Sequence, residues 1–238
     1  MKTTIAATFL SLSVGLSGIA MAGNRTVEVE ITNLTNATVF TPLLIATHKH
    51  DFHLFQVGTP ASGNLQAMAE GGALAGLIGE VTAAGGNYVE DPVGGLLNPG
   101  ESVATTVEMG RHRSHLSVTA MLLPTNDGFV GLDGVHLPYR RGVYTYYLNA
   151  YDAGTEANDE QITGGGAPGA PGIPADPGGN AGSGGTGVAG PDQNTNVHPH
   201  RGVVGDLDPA GGPSDLVAGT HGWSNPVAKV VVSVGGHH

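Results

Sequence analysis

The 238-residue sequence contains no cysteine, so neither disulfides nor thiolate chemistry can contribute, although an exported chain meets an oxidising environment in which disulfides persist. Its stability must come from packing, with bound metal as the one other source. Charge is also scarce. Asp, Glu, Lys and Arg make up 12% of the residues, about half the usual share. Basic charge is the scarcest, at 9 Lys and Arg against 20 Asp and Glu, for a formal net charge of −11. That balance opposes binding to phosphate backbones or anionic lipid and favours cations or basic partners. Nucleic acid is not an expected partner. Catalytic signatures are missing too: there is no G-x-S-x-G elbow, no H-E-x-x-H helix and no Gly-rich phosphate loop between strand and helix. With nothing to supply a nucleophile, the sequence does not read as an enzyme.

The first segment is an address rather than structure. Met1-Lys2 gives a positive start, Ile5 to Ile19 is an apolar stretch with Ser, Thr and Gly, and Ala20-Met21-Ala22 is a small-x-small cleavage site before Gly23. The stretch is too short and too polar for a helical span of about 20 residues, so the chain is not expected to span a membrane. Cleavage near Ala22 would leave a secreted or periplasmic product. Removing residues 1–22 takes away Lys2 and no acid, which moves the formal charge from −11 to −12.

Glycine is abundant, at 40 residues, against a usual share of about 7%, and much of it lies in one place. From Gly164 to Gly190 the chain is Gly, Pro, Ala and Ser with almost nothing to bury. Residues 161–196 are therefore expected to form a flexible insert within one domain spanning 23–238. The rest alternates with a period of two. Val27, Val29 and Ile31 alternate with Glu28, Glu30 and Thr32, and Val103, Thr105, Val107 and Met109 continue the pattern, which predicts strands with one buried face. Thr38 to Thr47, Leu116 to Leu123, Val143 to Tyr151 and Val227 to Val234 read as further strands, with Arg111 to His115 as a polar hairpin tip. Between Leu65 and Val81 the spacing becomes helical, and Gly71-Gly72 divides it into two short helices. The expected fold is mostly β, an antiparallel sandwich with one or two short helices, because one such amphipathic sheet needs a second to cover it.

Two groups of side chains could carry chemistry. Pro124 to Glu160 places Asp127 and Asp133 on one Gly-rich loop and Asp152, Glu156, Asp159 and Glu160 on another, joined by an aromatic strand. A hard cation such as calcium takes about six to eight oxygen ligands at flexible angles, and clustered carboxylates on short turns suit it. The same Asp-Gly and Asp-Ala-Gly sequences are also good turn chemistry, their carboxylates accepting from nearby backbone N–H groups. Neither loop fits the EF-hand pattern. The second group is histidine: 11 residues, with His48, His50 and His53 the densest run. On a strand His48 and His50 would share a face and His53 would not; on a loop all three could converge on copper or zinc. A solvated polar connector is the alternative there.

The segments DGFVGLDGVHL (Asp127 to Leu137), YDAGTE (Tyr151 to Glu156) and HDFHLFQVGTPASGNLQAMAEGGALAGLIGEV (His50 to Val81) resemble the N-terminal domain of spondins and their bacterial relatives. The resemblance implies a C2-like β-sandwich holding calcium between loops, with Asp127, Asp152 and Glu156 as side-chain ligands and Asp133 in reserve. It further implies an exported module for adhesion or recognition at a cell surface, envelope or matrix, whose partner is a protein or surface polymer. Two positions depart from the family's pattern: Glu156 stands where Asp is usual, and Gly128 replaces an aromatic. The competing expectation is an exported His-rich copper or zinc protein using His48, His50 and His53.

Overall fold

The computed structural model describes residues 25–179, 181–188, 194–208 and 210–235. The expected export segment 1–22 and the terminal His237 and His238 lie outside the described residues. The period-two runs become strands: β1 (Arg25–Asn33), β2 (Val39–Phe40), β3 (Leu44–His48), β4 (Asn87–Glu90), β5 (Ser102–Met109), β6 (His115–Leu123), β7 (Gly128–His136), β8 (Gly142–Asp152), β9 (His198–Pro199) and β10 (Ala228–Val234). In β1, Val27, Val29 and Ile31 are buried while Glu28 and Glu30 face water; in β10, Ala228, Val230, Val232 and Val234 are buried.

All strand pairings are antiparallel, in the order β4-β3-β6-β7-β8-β10-β1-β5, with β2 on β6 and β9 on β8. The closing strand β10 is inserted between β8 and β1, so the chain returns across the Gly/Pro-rich region to complete the sheet. The two edges of the sheet approach each other. Thr47 on β3 and Asn87 on β4 both donate side-chain hydrogen bonds to the carbonyl of Glu108 on β5. The accumulated twist of the strands thus curls one ten-stranded sheet into a nearly closed, barrel-like form.

This corrects the expected hairpin at Arg111 to His115. β5 and β6 are consecutive but do not pair: β5 lies on β1, and β6 lies between β3 and β7. Only the bridge Gly110↔Arg113 closes their turn, and beyond it the strands part to opposite sides of the seam. Pro42 separates β2 from β3, consistent with its missing donor. The short edge strand β4 carries no sequence signal of its own, since Gly85-Gly86 and Asp91-Pro92 leave only Asn87–Glu90 between them.

The interior has two hydrophobic layers. Val29, Ile31, Ile45, Val118, Ala120, Val130, Val230 and Val232 fill the inside of the curl. On the outer face of β3, β6 and β7, Leu44, Ala46, Met121 and Phe129 meet Leu65, Met68, Leu77 and Val81 from the helices α1 (Gly63–Gly71) and α2 (Ala75–Ala83). β6 is therefore buried along its length from Leu116 to Leu123, the polar Ser117 and Thr119 included. Ser62 caps α1 by accepting from the Leu65 N–H at 3.1 Å, and Gly72 ends it at φ +71°, where the Gly71-Gly72 pair is expected to divide the helices.

Within the expected flexible insert, 161–196, the described backbone is tied to the domain through carboxylates. Asp215 accepts from the N–H groups of Ile162, Ser183 and Gly185 at 2.7–2.8 Å. Glu70 on α1 accepts from Gly169 at 2.6 Å. Beyond the insert, Glu160 likewise takes the N–H groups of Val204 and Gly205 and the hydroxyl of Ser214 at 2.6–2.8 Å. A chain that joins no ladder must still satisfy its backbone donors, and here acidic side chains do so. Much of the chain's negative charge is used internally in this way. The short helix α3 (Ala218–His221) precedes β10.

Candidate metal centre

Asp127 and Asp152 are brought together by strand register. Gly128, the first residue of β7, lies opposite Asp152, the last of β8, and the Ala153 N–H donates to the Asp127 carbonyl at 3.2 Å. Two carboxylates far apart in sequence thus emerge at one end of the same ladder. Asp127 is fully buried. Its Oδ2 accepts from the N–H groups of Thr155 and Glu156 at 2.8 and 3.1 Å and from the Thr155 hydroxyl at 3.2 Å, while Oδ1 has no hydrogen-bond partner. Asp152, also buried, accepts from the Gly154 N–H at 2.7 Å through Oδ1 and from Asn158 Nδ2 at 2.7 Å through Oδ2. The imidazole of His198, whose Nδ1 lies 2.8 Å from the Asn196 carbonyl, stands 3.8 Å from Asp152 Oδ2.

Glu156 stands beside this pair. Its Oε1 accepts from the Gly172 N–H and its Oε2 is buried without a partner. Burial, and then the charge of Asp152, push Asp127 up to about 7 against the Thr155 and Glu156 donors. Burial likewise pushes Glu156 up to about 8, opposed by the Gly172 N–H and reinforced by Glu70, Asp127 and Asp159. Both turns use the local hydrogen bonds expected of Asp-containing turns, but two carboxylate oxygens, Asp127 Oδ1 and Glu156 Oε2, remain buried and unpartnered. Each carries a desolvation cost of the kind that a hard cation relieves. Among the described residues no three His, Asp or Glu side chains already surround one point as an ion would require. The two carboxylates that strand register brings together are Asp127 and Asp152.

Asp133 is not brought to this pair. DGFVGLD is not a loop but runs as strand β7, which carries Asp133 to the opposite end of the ladder. The register shift opposite Leu116/Val118, with Gly134 at φ +61°, turns Asp133 inward. There Oδ1 accepts from the Leu54 N–H at 2.8 Å and the Ser117 hydroxyl at 3.1 Å, and Oδ2 lies 2.6 Å from His53 Nδ1. Nor do His48, His50 and His53 converge. His48 is buried with both nitrogens engaged, Nε2 with Ser117 Oγ and Nδ1 with the Lys49 carbonyl, each at 2.7 Å, while His53 turns to Asp133.

Several supporting residues escaped the sequence reading. Asn126 links the two loops, donating to Asp159 Oδ1 at 2.9 Å and accepting from the Glu160 N–H at 3.3 Å. Asn158 and His198 attend Asp152, and only the pairing of β9 with β8 puts His198 there. An Asn on either side of an acidic loop was the one available signal.

Together these features define a mostly β domain with a buried acidic pair where two strands of a curled antiparallel sheet end side by side. The spondin N-terminal family model (Spondin_N) matches residues 32–162, more than half of the chain, and the protein belongs to that family. The match contains both carboxylates and Glu156 and stops before β9 and β10. Domains of this family are typically extracellular. No curated protein matches the sequence.

Proposed function

We propose that this protein is an exported calcium-dependent recognition module, built on a C2-like arrangement of its antiparallel strands, in which Asp127, Asp152 and Glu156 hold the ion. The supporting observation is the pair of buried carboxylate oxygens without partners, Asp127 Oδ1 and Glu156 Oε2, in a site whose ionisation is opposed by burial and by its own like charges. Calcium supplies the missing positive charge there, and backbone carbonyls and water complete its shell. Binding draws the turn 152–156 against the 126–127 turn and orders the loop rim. That rim recognises a protein or surface polymer outside the cell, and the reading needs no catalytic group.

The test is thermal unfolding of metal-free protein with and without millimolar calcium. A ligand that binds only the folded state stabilises it by about 2.7 kcal/mol at a hundredfold excess over Kd, so a clear rise in Tm is expected, and Asp152→Ala should abolish it. A wild-type melting curve indifferent to calcium defeats the proposal.

A further inference from the structure

The histidines that come together are not those closest in sequence. Register places His48 opposite His115 and His115 opposite His136. One histidine each from β3, β6 and β7 therefore stands in a row across the end of the sheet remote from the acidic pair, as directly opposed residues share a face. His48 is committed to Ser117 and the Lys49 carbonyl. His115 is not: its Nδ1 is buried and lacks any hydrogen-bond partner. Its ring lies 5.2 Å from that of His136, at an interplanar angle of 66°, and 6.2 Å from that of His50.

Two imidazoles ligating one tetrahedral ion through nitrogens at about 2.0–2.1 Å have ring centres roughly 5 Å apart. The His115 and His136 rings already have that spacing. His136 and His50 are exposed, so an ion can reach them from solvent, and His50 can close its remaining gap by changing rotamer.

We infer that His115 and His136, joined by His50, form a second metal site, selective for a borderline divalent cation such as copper or zinc. Neutral imidazole favours these ions over calcium, which separates this site chemically from the acidic one. No three ligands are closed around a point among the described residues, so the pair is preformed and His50 is recruited. His50 and His115 line a shallow depression together with Lys49, Asp51 and Arg111, and the two cations keep the affinity moderate.

The test is a copper(II) titration of the full chain in millimolar calcium, followed by calorimetry and electron paramagnetic resonance. One equivalent should bind with imidazole nitrogen coupling in its spectrum. Removing an outer partner of a ligand alone costs about 10–100-fold in affinity, so His136→Ala and His115→Gln should each weaken binding by at least about tenfold. His136 is exposed, so His136→Ala reports on the site even where His115→Gln perturbs folding. Changing both His237 and His238 to Ala should leave this equivalent in place. The inference is overturned by an absence of imidazole coupling, by His136→Ala binding as wild type, or by loss of binding in the His237/His238 variant.

Discussion

Replacing Asp127 by Asn keeps the side chain's shape and removes the charge whose burial opposes folding most strongly at the acidic pair. Burial first, and Asp152 second, raise the Asp127 carboxyl from an ordinary 3.8 to about 7. At 1.36 kcal/mol for each pKa unit, that is roughly 4 kcal/mol of opposition to the ionised form. In the unfolded chain the proton leaves near pH 4 and in the folded chain near pH 7, so between those values the folded state holds more protons. Stability should therefore fall as pH rises from about 4 to about 7. Glu156, raised to about 8, extends the decline in the same direction. The Asp127→Asn variant has no such proton to lose at this position. Its amide oxygen can take the Thr155 and Glu156 donors, but its NH₂ would occupy the unpartnered Oδ1 position, at a cost of about 1–3 kcal/mol. Wild type in metal-free buffer should lose on the order of 10 °C of Tm between pH 5 and pH 8, given about 2–4 °C for each kcal/mol in a chain of this size. Asp127→Asn should be markedly flatter. Calcium favours the ionised carboxylates, so it should restore wild type at pH 8 and leave Asp127→Asn unchanged. Melting curves at the two pH values, with and without calcium, decide the matter: a flat metal-free wild-type profile, or an equal calcium response in the variant, refutes the reasoning.

Further outcomes follow from the loops around the site. Gly154 sits at φ +70°, and a Cβ there would lie 2.6 Å from the Thr195 carbonyl carbon and 2.8 Å from the Asn196 oxygen. Gly154→Ala should cost at least about 1–3 kcal/mol through strain and the displaced 194–197 segment, and an unchanged urea midpoint would contradict that contact. Asp215→Ala removes the acceptor for Ile162, Ser183 and Gly185, so protease should cut faster within 161–188 while amide exchange in β10 stays slow. An unaltered cleavage rate would show that other contacts hold the segment. The metal content of protein purified without chelator should include calcium at the acidic pair, lost on Asp152→Ala.

The strands were legible wherever one face is buried and one wet. Val27, Val29 and Ile31 on β1 and the alternating valines of β10 show that period directly, and Gly71-Gly72 marks the break between α1 and α2. The partnering of strands was not. β5 and β6 look like a hairpin because a short polar turn joins them, yet they diverge at the seam of the curl. Local sequence reports only which face of a strand is buried, whereas twist and closure decide which strand lies alongside.

The candidate sites divide in the same way. Asp127 and Asp152 stood out as acids in turn sequences, and the register Gly128↔Asp152 joins them. Asp133 shared the same acidic, Gly-rich texture but went to His53 and Ser117, because the extended chain of β7 carries it away from Asp127. Asp215 carried no signal and Glu160 read only as part of the acidic loop, since their role is to satisfy backbone donors that become buried only in the folded chain.

The sequence alone determined the alternation of buried and exposed faces, the two short helices, the acidity and the absence of thiols, because each depends on residue type and local spacing. Tertiary structure alone decided that one sheet curls on itself, that two carboxylates meet at a ladder's end, and that histidines from three strands form a row. Those are contacts between distant segments, set by register and twist, which no local pattern encodes.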